Sequence, residues 1–300
     1  MSFDMREQIA TGEGFIAALD QSGGSTPKAL KGYGIEEGAW SNDEEMFGLI
    51  HDMRSRIITT PSFASGKVLG AILFERTMDG QIDGKSVPSV LIEKGVVPFI
   101  KIDKGLEDEV NGVQLMKPNP TLDTLLVKAK GLGVFGTKER SVVNLANREG
   151  IAAIVKQQFE VGQQVLSHGL VPMIEPEVNI KSAERAQADE ILLDELLKAL
   201  DALPGDDKVM LKLSIPAKAG LFDPLVDHPR VLRVVALSGG FSRADACAEL
   251  AKNRGMIASF SRALLSDLRH QLSDAEFDAT LGEAIDEIHA ASTAKAPVAA

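Results

Sequence analysis

One cysteine, Cys247, stands in the whole 300-residue chain. A lone thiol cannot close an intramolecular disulfide, and it cannot supply a cysteine-based zinc cluster. Histidine is also sparse. His51, His168, His228, His270 and His289 are scattered singly, with no HxH or HExxH spacing to hold a metal. No stretch of about 18 uninterrupted apolar residues occurs, so no transmembrane helix is expected. Basic residues are outnumbered, 32 Lys and Arg against 43 Asp and Glu, for a formal net charge of −11. A general nucleic-acid binder needs a basic face to release counterions, and this balance argues against one. It does not exclude an anionic small-molecule site, which needs only a few local cations. The opening MSFDMREQIATGEG has acids and no apolar core, so it is not a signal peptide, and a cytoplasmic protein is expected.

What is present is a globular composition, 44% hydrophobic and 25% charged, laid out in a regular rhythm. Short apolar runs at residues 15–19, 68–74, 96–102, 134–136, 170–174, 209–213, 232–237 and 256–260 read as strands. Longer amphipathic segments separate them, among them 43–58, 147–168, 182–203 and 242–253. Asn42 and Ser242 are good N-caps for two of these. Strands alternating with helices make parallel β structure, and eight repeats over about 250 residues fit an α/β (β/α)8 TIM barrel. The expected layout is one domain over 1–300, with the barrel at about 14–270 and additional C-terminal helices. Segment 273–291 should pack outside the barrel, and the low-complexity tail from 292 should be mobile. The loop at 106–121 departs from the ideal repeat. Gly131-Leu132-Gly133-Val134-Phe135-Gly136 matches GxGxxG. It follows a helix and enters a strand, the reverse of the dinucleotide-binding order, so it reads as a turn.

Barrel chemistry sits where strands end and the following loops begin. Nearly every expected strand end carries polar groups. The first supplies Asp20-Gln21-Ser22-Gly23-Gly24-Ser25, the third Lys101, Asp103 and Lys104, and the fourth Lys138 and Arg140. The fifth supplies Glu175 and Glu177, the sixth holds Lys212 inside an apolar run, and the seventh ends in Ser238-Gly239-Gly240. The eighth ends in Ser259-Phe260-Ser261-Arg262. Any one of these has an ordinary reading as a solvated end, a cap or a turn. Their coincidence at one rim points to a site.

Loops after strands seven and eight commonly hold a phosphate. Here Ser238, Gly239, Ser261 and Arg262 offer backbone donors, hydroxyls and a bidentate fork. Lys101 with Ser22 and Ser25 forms a second cationic set, so a substrate phosphorylated at both ends fits. Burial in an apolar strand near Lys138 and Arg140 is expected to favour the neutral, nucleophilic amine of Lys212. Asp20, Glu175 and Glu177 are the candidate proton carriers. Lysine, carboxylates and phosphate clamps without metal ligands spell Schiff-base chemistry on a phosphosugar.

At these residues the chain resembles class I (Schiff-base) fructose-1,6-bisphosphate aldolases in a short bacterial form. The matching segments run in family order from about Phe15 to Leu265: AALDQSGGS, ILFERTM, FIKIDKG, GTKERS, VPMIEPEV, LKLSIP, LSGGFS and SFSRALL. The resemblance implies that Lys212 forms the Schiff base, Glu175 is the principal acid/base and Glu177 its partner. It implies that Asp20 assists carbinolamine formation and that Lys138 is the cation assisting the imine. Arg140, Lys101, Ser22 and Ser25 then bind the sugar and its C6 phosphate, and Ser238, Gly239, Ser261 and Arg262 bind the C1 phosphate. It implies a phosphosugar substrate and no metal or other cofactor; a homo-oligomer is left open. The chain departs from the animal pattern in places. Gln21 stands for a glutamate, Glu139 for a bulky aromatic, and Phe260-Ser261 for Tyr-Gly. The tyrosine-bearing tail has no counterpart, the only Tyr being Tyr33. Rival readings are a transaldolase or another Schiff-base phosphosugar aldolase, a barrel isomerase using Glu175 without a covalent lysine, and a non-enzymatic phosphosugar-binding protein.

Overall fold

The eight apolar runs become the strands of one parallel sheet. These are β1 (Phe15–Leu19), β2 (Val68–Leu73), β3 (Val97–Lys101), β4 (Gly136–Val143), β5 (Val171–Val178), β6 (Val209–Ser214), β7 (Val231–Leu237) and β8 (Met256–Ala258). The computed structural model describes residues 3–64 and 66–296. Each strand pairs with the next in chain order. The sheet closes where the Ala18 N–H of β1 donates to the Phe260 carbonyl beyond β8, at 3.1 Å. The result is the expected (β/α)8 barrel. A short strand, Val113–Gln114, emerges from the irregular 106–121 loop and pairs antiparallel with the end of β4.

Parity along the strands divides the interior into two zones. Successive side chains point to opposite faces, so residues two apart share the inside. Ile16 and Ala18, Val97 and Phe99, Val171 and Met173, Met210, Val235 and Ile257 form one buried apolar cluster within the barrel. The same parity carries the chain on to Asp20, Lys101, Lys138, Glu175, Lys212 and Ser259 one step higher. The lower end is plugged by the helix Met5–Thr11, whose Ile9 is buried in the inner cluster. Gln8 Nε2 fixes that helix by donating to the Leu69 and Gly95 carbonyls at 2.8 and 2.7 Å.

The outer faces of the strands pack against the helices in a second, larger core. The expected helices appear as Asp43–Thr59, Arg148–Ser167, Arg185–Asp201 and Arg243–Ala251, with Asn42, Asn147 and Ser242 as hydrogen-bonded N-caps. The GxGxxG segment joins the helix Leu122–Gly131 to β4, with Gly133 at φ 80°, and is a turn. Among the described residues no helix is long and apolar enough to cross a membrane.

Three boundaries differ from the sequence reading. The fourth strand is Gly136–Val143 rather than 134–136, and the fifth extends to Val178. Lys138, Arg140, Glu175 and Glu177 therefore lie within strands and not in the loops after them. A search for apolar runs stops where the inward face turns polar, although the backbone ladder continues. At the other end, helix Asp274–Thr293 runs past the expected 273–291 and packs across the β8–β1 seam. Ser292 is buried, its Oγ accepting from the Ala258 N–H at 3.0 Å. Lys295 Nζ donates to the Leu250, Met256 and Ala291 carbonyls. The expected mobile tail is thus anchored as far as Lys295, while 297–300 lie outside the described residues.

Gly136 allows β3, β4 and β5 to close up at the inner layer. A Cβ built there meets the Val171 carbonyl oxygen at 2.3 Å and the Phe99 ring at 3.0 Å. Gly136→Ala should lower stability by about 1–3 kcal/mol through overpacking. Urea unfolding monitored by circular dichroism checks this.

Candidate functional site

Four buried charges alternate in sign across the upper barrel. Asp20 Oδ2 lies 3.0 Å from Lys138 Nζ, Lys138 Nζ lies 2.6 Å from Glu175 Oε2, and Glu175 Oε1 lies 3.2 Å from Lys212 Nζ. Lys138, Glu175 and Lys212 are each 3% exposed and Asp20 is 8% exposed. At such burial the attraction between neighbours is large and ionic screening is weak. Burial alone pushes the Asp20 carboxyl up, but Lys138, Lys212 and Lys101 reverse this and hold it far below the usual carboxylate range. Burial likewise pushes Lys138 down, and Asp20, Glu175 and Asp103 more than restore its charge. The cationic neighbours expected beside Lys212 are therefore themselves paired with carboxylates. Glu175 stands between Lys138 and Lys212, and Arg140 turns to Glu177, Nε to Oε2, at 2.5 Å.

Strand packing fixes this chain of charges. Gln158, buried on helix Arg148–Ser167, donates to the Glu175 carbonyl at 3.1 Å and to Ser141 Oγ at 3.2 Å, tying β4 to β5. Ser214 Oγ donates to the Val178 carbonyl at 2.7 Å and ties β5 to β6.

The four groups form the floor of a cavity of about 1050 Å³. That matches the upper end of the range of about 300–1,000 Å³ usual for small-molecule sites. Every residue chosen from the sequence lines it: Asp20, Ser22, Ser25, Lys101, Lys138, Arg140, Glu175, Glu177, Lys212, Ser238, Gly239, Ser261 and Arg262. On one side Gly239 and Gly240 take φ of 59° and 112°, a turn that β-carbons disfavour. The Arg262 guanidinium lies over Gly240. On another side Ser22 and Ser25 form a tight turn at the start of helix Ser25–Gly32, the Ser22 N–H donating to Ser25 Oγ at 2.9 Å. Lys28, Lys101 and Lys104 also line the cavity. Lys101 Nζ is held 2.8 Å from Asp103 Oδ1.

Sequence reasoning missed Arg54, the largest fully buried side chain. It donates to the Gln21 carbonyl at 2.5 Å and to Thr77 Oγ1 at 2.7 Å. Gln21 Nε2 in turn donates to Ser261 Oγ at 2.5 Å, so one buried arginine ties the first loop to the eighth. Burial lowers the Arg54 guanidinium to about 10, with Asp20 opposing the shift. The signal was available. Arg54 falls on the apolar face of its helix, four residues from Ile50 and from Ile58.

A family model described as fructose-bisphosphate aldolase class-I matches residues 4–214. Among solved structures, the chain is similar to fructose-bisphosphate aldolase from Plasmodium falciparum, in a ternary co-crystal with TRAP and a small-molecule inhibitor. The TM-score is 0.77 at 19% identity, over 97% of this chain and 93% of that one. At that identity the likeness bears on the fold.

Replacing Lys138 tests the alternation of charge. Asp20, held low, contributes stability that is present above about pH 4 and lost as pH falls below it. Lys138→Met removes the largest part of that contribution, leaving Asp20 without its ion-pair partner and Glu175 with Lys212 alone, at a cost of about 3–5 kcal/mol near neutrality. The deficit should shrink below about pH 4, where the parent loses its own contribution. Urea unfolding at neutral and acid pH measures both.

Proposed function

The chain belongs to the class I fructose-bisphosphate aldolase family, and on that premise we propose residue roles for reversible cleavage of fructose 1,6-bisphosphate through a Schiff base on Lys212. The supporting observation is the Lys212–Glu175 contact of 3.2 Å, buried and continued through Lys138 to Asp20. An amine attacks a carbonyl only after losing its proton, and a carboxylate at this distance can take it.

The steps follow from that placement. Glu175 accepts a proton from Lys212, whose lone pair forms a bond to the C2 carbonyl carbon. The nitrogen, now carrying a positive charge, gives up a proton to the carbonyl oxygen, which becomes the carbinolamine hydroxyl. Glu175 returns a proton to that hydroxyl, water leaves, and the iminium forms. Its positive charge accepts the electron pair of the C3–C4 bond when a carboxylate removes the C4 hydroxyl proton. Glyceraldehyde 3-phosphate departs, leaving the enamine. Protonation at C3 and addition of water release dihydroxyacetone phosphate and restore Lys212. Asp20, ionised and facing Lys138, serves in carbinolamine formation. Lys138 keeps its charge and stabilises oxyanions beside the imine. Glu177 orients Arg140 toward the sugar.

The two phosphates are assigned to the two cationic sides of the cavity. The C1 phosphate is taken by Ser238, Gly239, Ser261 and Arg262, where a glycine turn, hydroxyls and a guanidinium converge. The C6 phosphate is taken by Ser22, Ser25 and Lys101. The electron sink in this reading is the lysine imine, with no metal or other cofactor required.

Borohydride added with fructose 1,6-bisphosphate should reduce the imine and leave a three-carbon or six-carbon adduct on Lys212, located by peptide mass spectrometry. Lys212→Met should give no adduct and lower kcat by at least about a thousandfold. Activity that survives in Lys212→Met would overturn the covalent reading in favour of proton-transfer chemistry by Glu175. Activity abolished by EDTA would overturn it in favour of a metal.

A further inference from the structure

Glu139 lies on β4 between Lys138 and Arg140, and the strand's alternation turns it to the opposite face. It is 0% exposed, and neither carboxyl oxygen has a hydrogen-bond partner among the described residues. An ionised carboxylate in such a place is strongly unfavourable. Burial first, then the negative charge of Asp103, pushes its carboxyl well above the ordinary range, with Lys138 opposing. Burial without a partner thus favours the neutral, protonated carboxyl over the carboxylate at Glu139.

Asp103 is its complement. Its side chain is 4% exposed, its Oδ1 contacts Lys101 at 2.8 Å, and the Gly105 N–H approaches Oδ1 at 3.4 Å. Its Oδ2 is buried with no partner. The register of β3 and β4 brings the backbone segments that carry the two acids side by side. Lys101 is paired with Lys138, and the Ile102 N–H donates to the Lys138 carbonyl at 2.9 Å. Asp103 thus leaves β3 beside the Glu139–Arg140 stretch of β4. It also lines both the large cavity and a second one of about 160 Å³, bordered by Met116, Asn119 and Gln157.

We propose that Glu139 is a positioning residue whose protonated carboxyl donates a hydrogen bond to Asp103 Oδ2 and so locks Asp103 in the orientation that holds Lys101 at the phosphate end of the cavity. The proton stays on Glu139 and the negative charge on Asp103. The charged groups acting on the pair are Lys101, Lys138 and Arg140. Without the donor, Asp103 Oδ2 is left bare in a buried site, the carboxylate turns, and Lys101 loses its anchor. The role rests on the assignment of Lys101 to a substrate phosphate.

The test uses the full-length enzyme with Glu139→Gln and Glu139→Met. Glutamine keeps a neutral donor; methionine fills the space without one. Glu139→Met should raise KM for fructose 1,6-bisphosphate by about tenfold, the loss of one charge-assisted hydrogen bond, with kcat little changed. Its thermal midpoint should be no higher than the parent's, because Asp103 Oδ2 is left buried without its donor. Glu139→Gln should keep the parental KM. An infrared carbonyl band of a protonated carboxyl should be present in the parent at neutral pH and absent in Glu139→Gln. An unchanged KM in Glu139→Met, or a Glu139→Gln variant as impaired as Glu139→Met, overturns the positioning role. A missing band overturns the proton on Glu139. Lys101→Met run alongside separates the two layers: if its KM is parental, the Lys101 assignment fails and the positioning role falls with it, while borohydride trapping on Lys212 still reports on the reaction itself.

Discussion

Asp20, Lys138, Glu175 and Lys212 form a row of opposite charges under the mouth of the barrel, and the surrounding structure is organised by the need to keep them there. Each member is nearly desolvated. A buried charge without a counter-charge is costly enough to change its protonation or unfold its surroundings, whereas a matched row tolerates burial. The match also sets the chemistry. Asp20 and Lys138 hold each other ionised, so the row offers a fixed field beside the Lys212 amine and leaves Glu175 facing a cation on either side. A closed barrel suits this arrangement. Strands on opposite walls send side chains inward across a few ångströms, so Asp20 from the end of β1 can reach Lys138 on β4.

Division of the barrel along its axis follows from the same demand. The lower interior is filled by Ile16, Phe99, Val171, Met173, Met210 and Ile257 and closed below by Ile9. Full burial of such a side chain stabilises by about 1.5–3 kcal/mol. Stability generated there offsets the desolvation of the charged layer above. The periphery is fixed separately. Arg54 holds Gln21, Gln21 reaches Ser261, and the loops flanking the cavity on the β1 and β8 sides become one unit. Glutamine at position 21 suits that task, because its amide accepts from Arg54 at one end and donates to Ser261 at the other.

The fold was legible in the sequence because its signal is periodic. Eight apolar runs alternate with capped amphipathic segments, and that rhythm implies parallel strands with helical crossovers whatever the loops do. The site was legible for a related reason: polar residues at the ends of apolar runs stand out against their neighbours. What escaped was how far the strands run and which polar groups they enclose. Lys138, Arg140, Glu175 and Glu177 were placed at strand ends because hydrophobicity fades where a barrel strand turns its inner face to the cavity, while the ladder runs on to Val143 and Val178. Arg54 was passed over because an arginine within a helix reads as a surface residue until the helix is seen packed against the barrel. The N-terminal helix was seen only as a segment unfit for export, since nothing in MREQIAT alone shows that Ile9 plugs a barrel.

Net charge was the least informative number about the ligand and became useful only when resolved in space. The −11 is a sum over the whole chain. Most of the acids lie on outer helices, where solvent and salt screen them within about a Debye length of 8 Å. Inside the cavity the count is different: Lys101, Lys138, Arg140, Lys212 and Arg262 face one enclosed volume, with Lys28 and Lys104 at its edge. Four carboxylates, Asp20, Asp103, Glu175 and Glu177, are interleaved with these cations. The interleaving keeps the deepest cations from repelling one another, and it leaves the lysines and Arg262 nearer the mouth to meet an anion. Net charge summed over a chain therefore says little about an enclosed site, because the potential a small anion meets there is set by the lysines and arginines within a few ångströms of it.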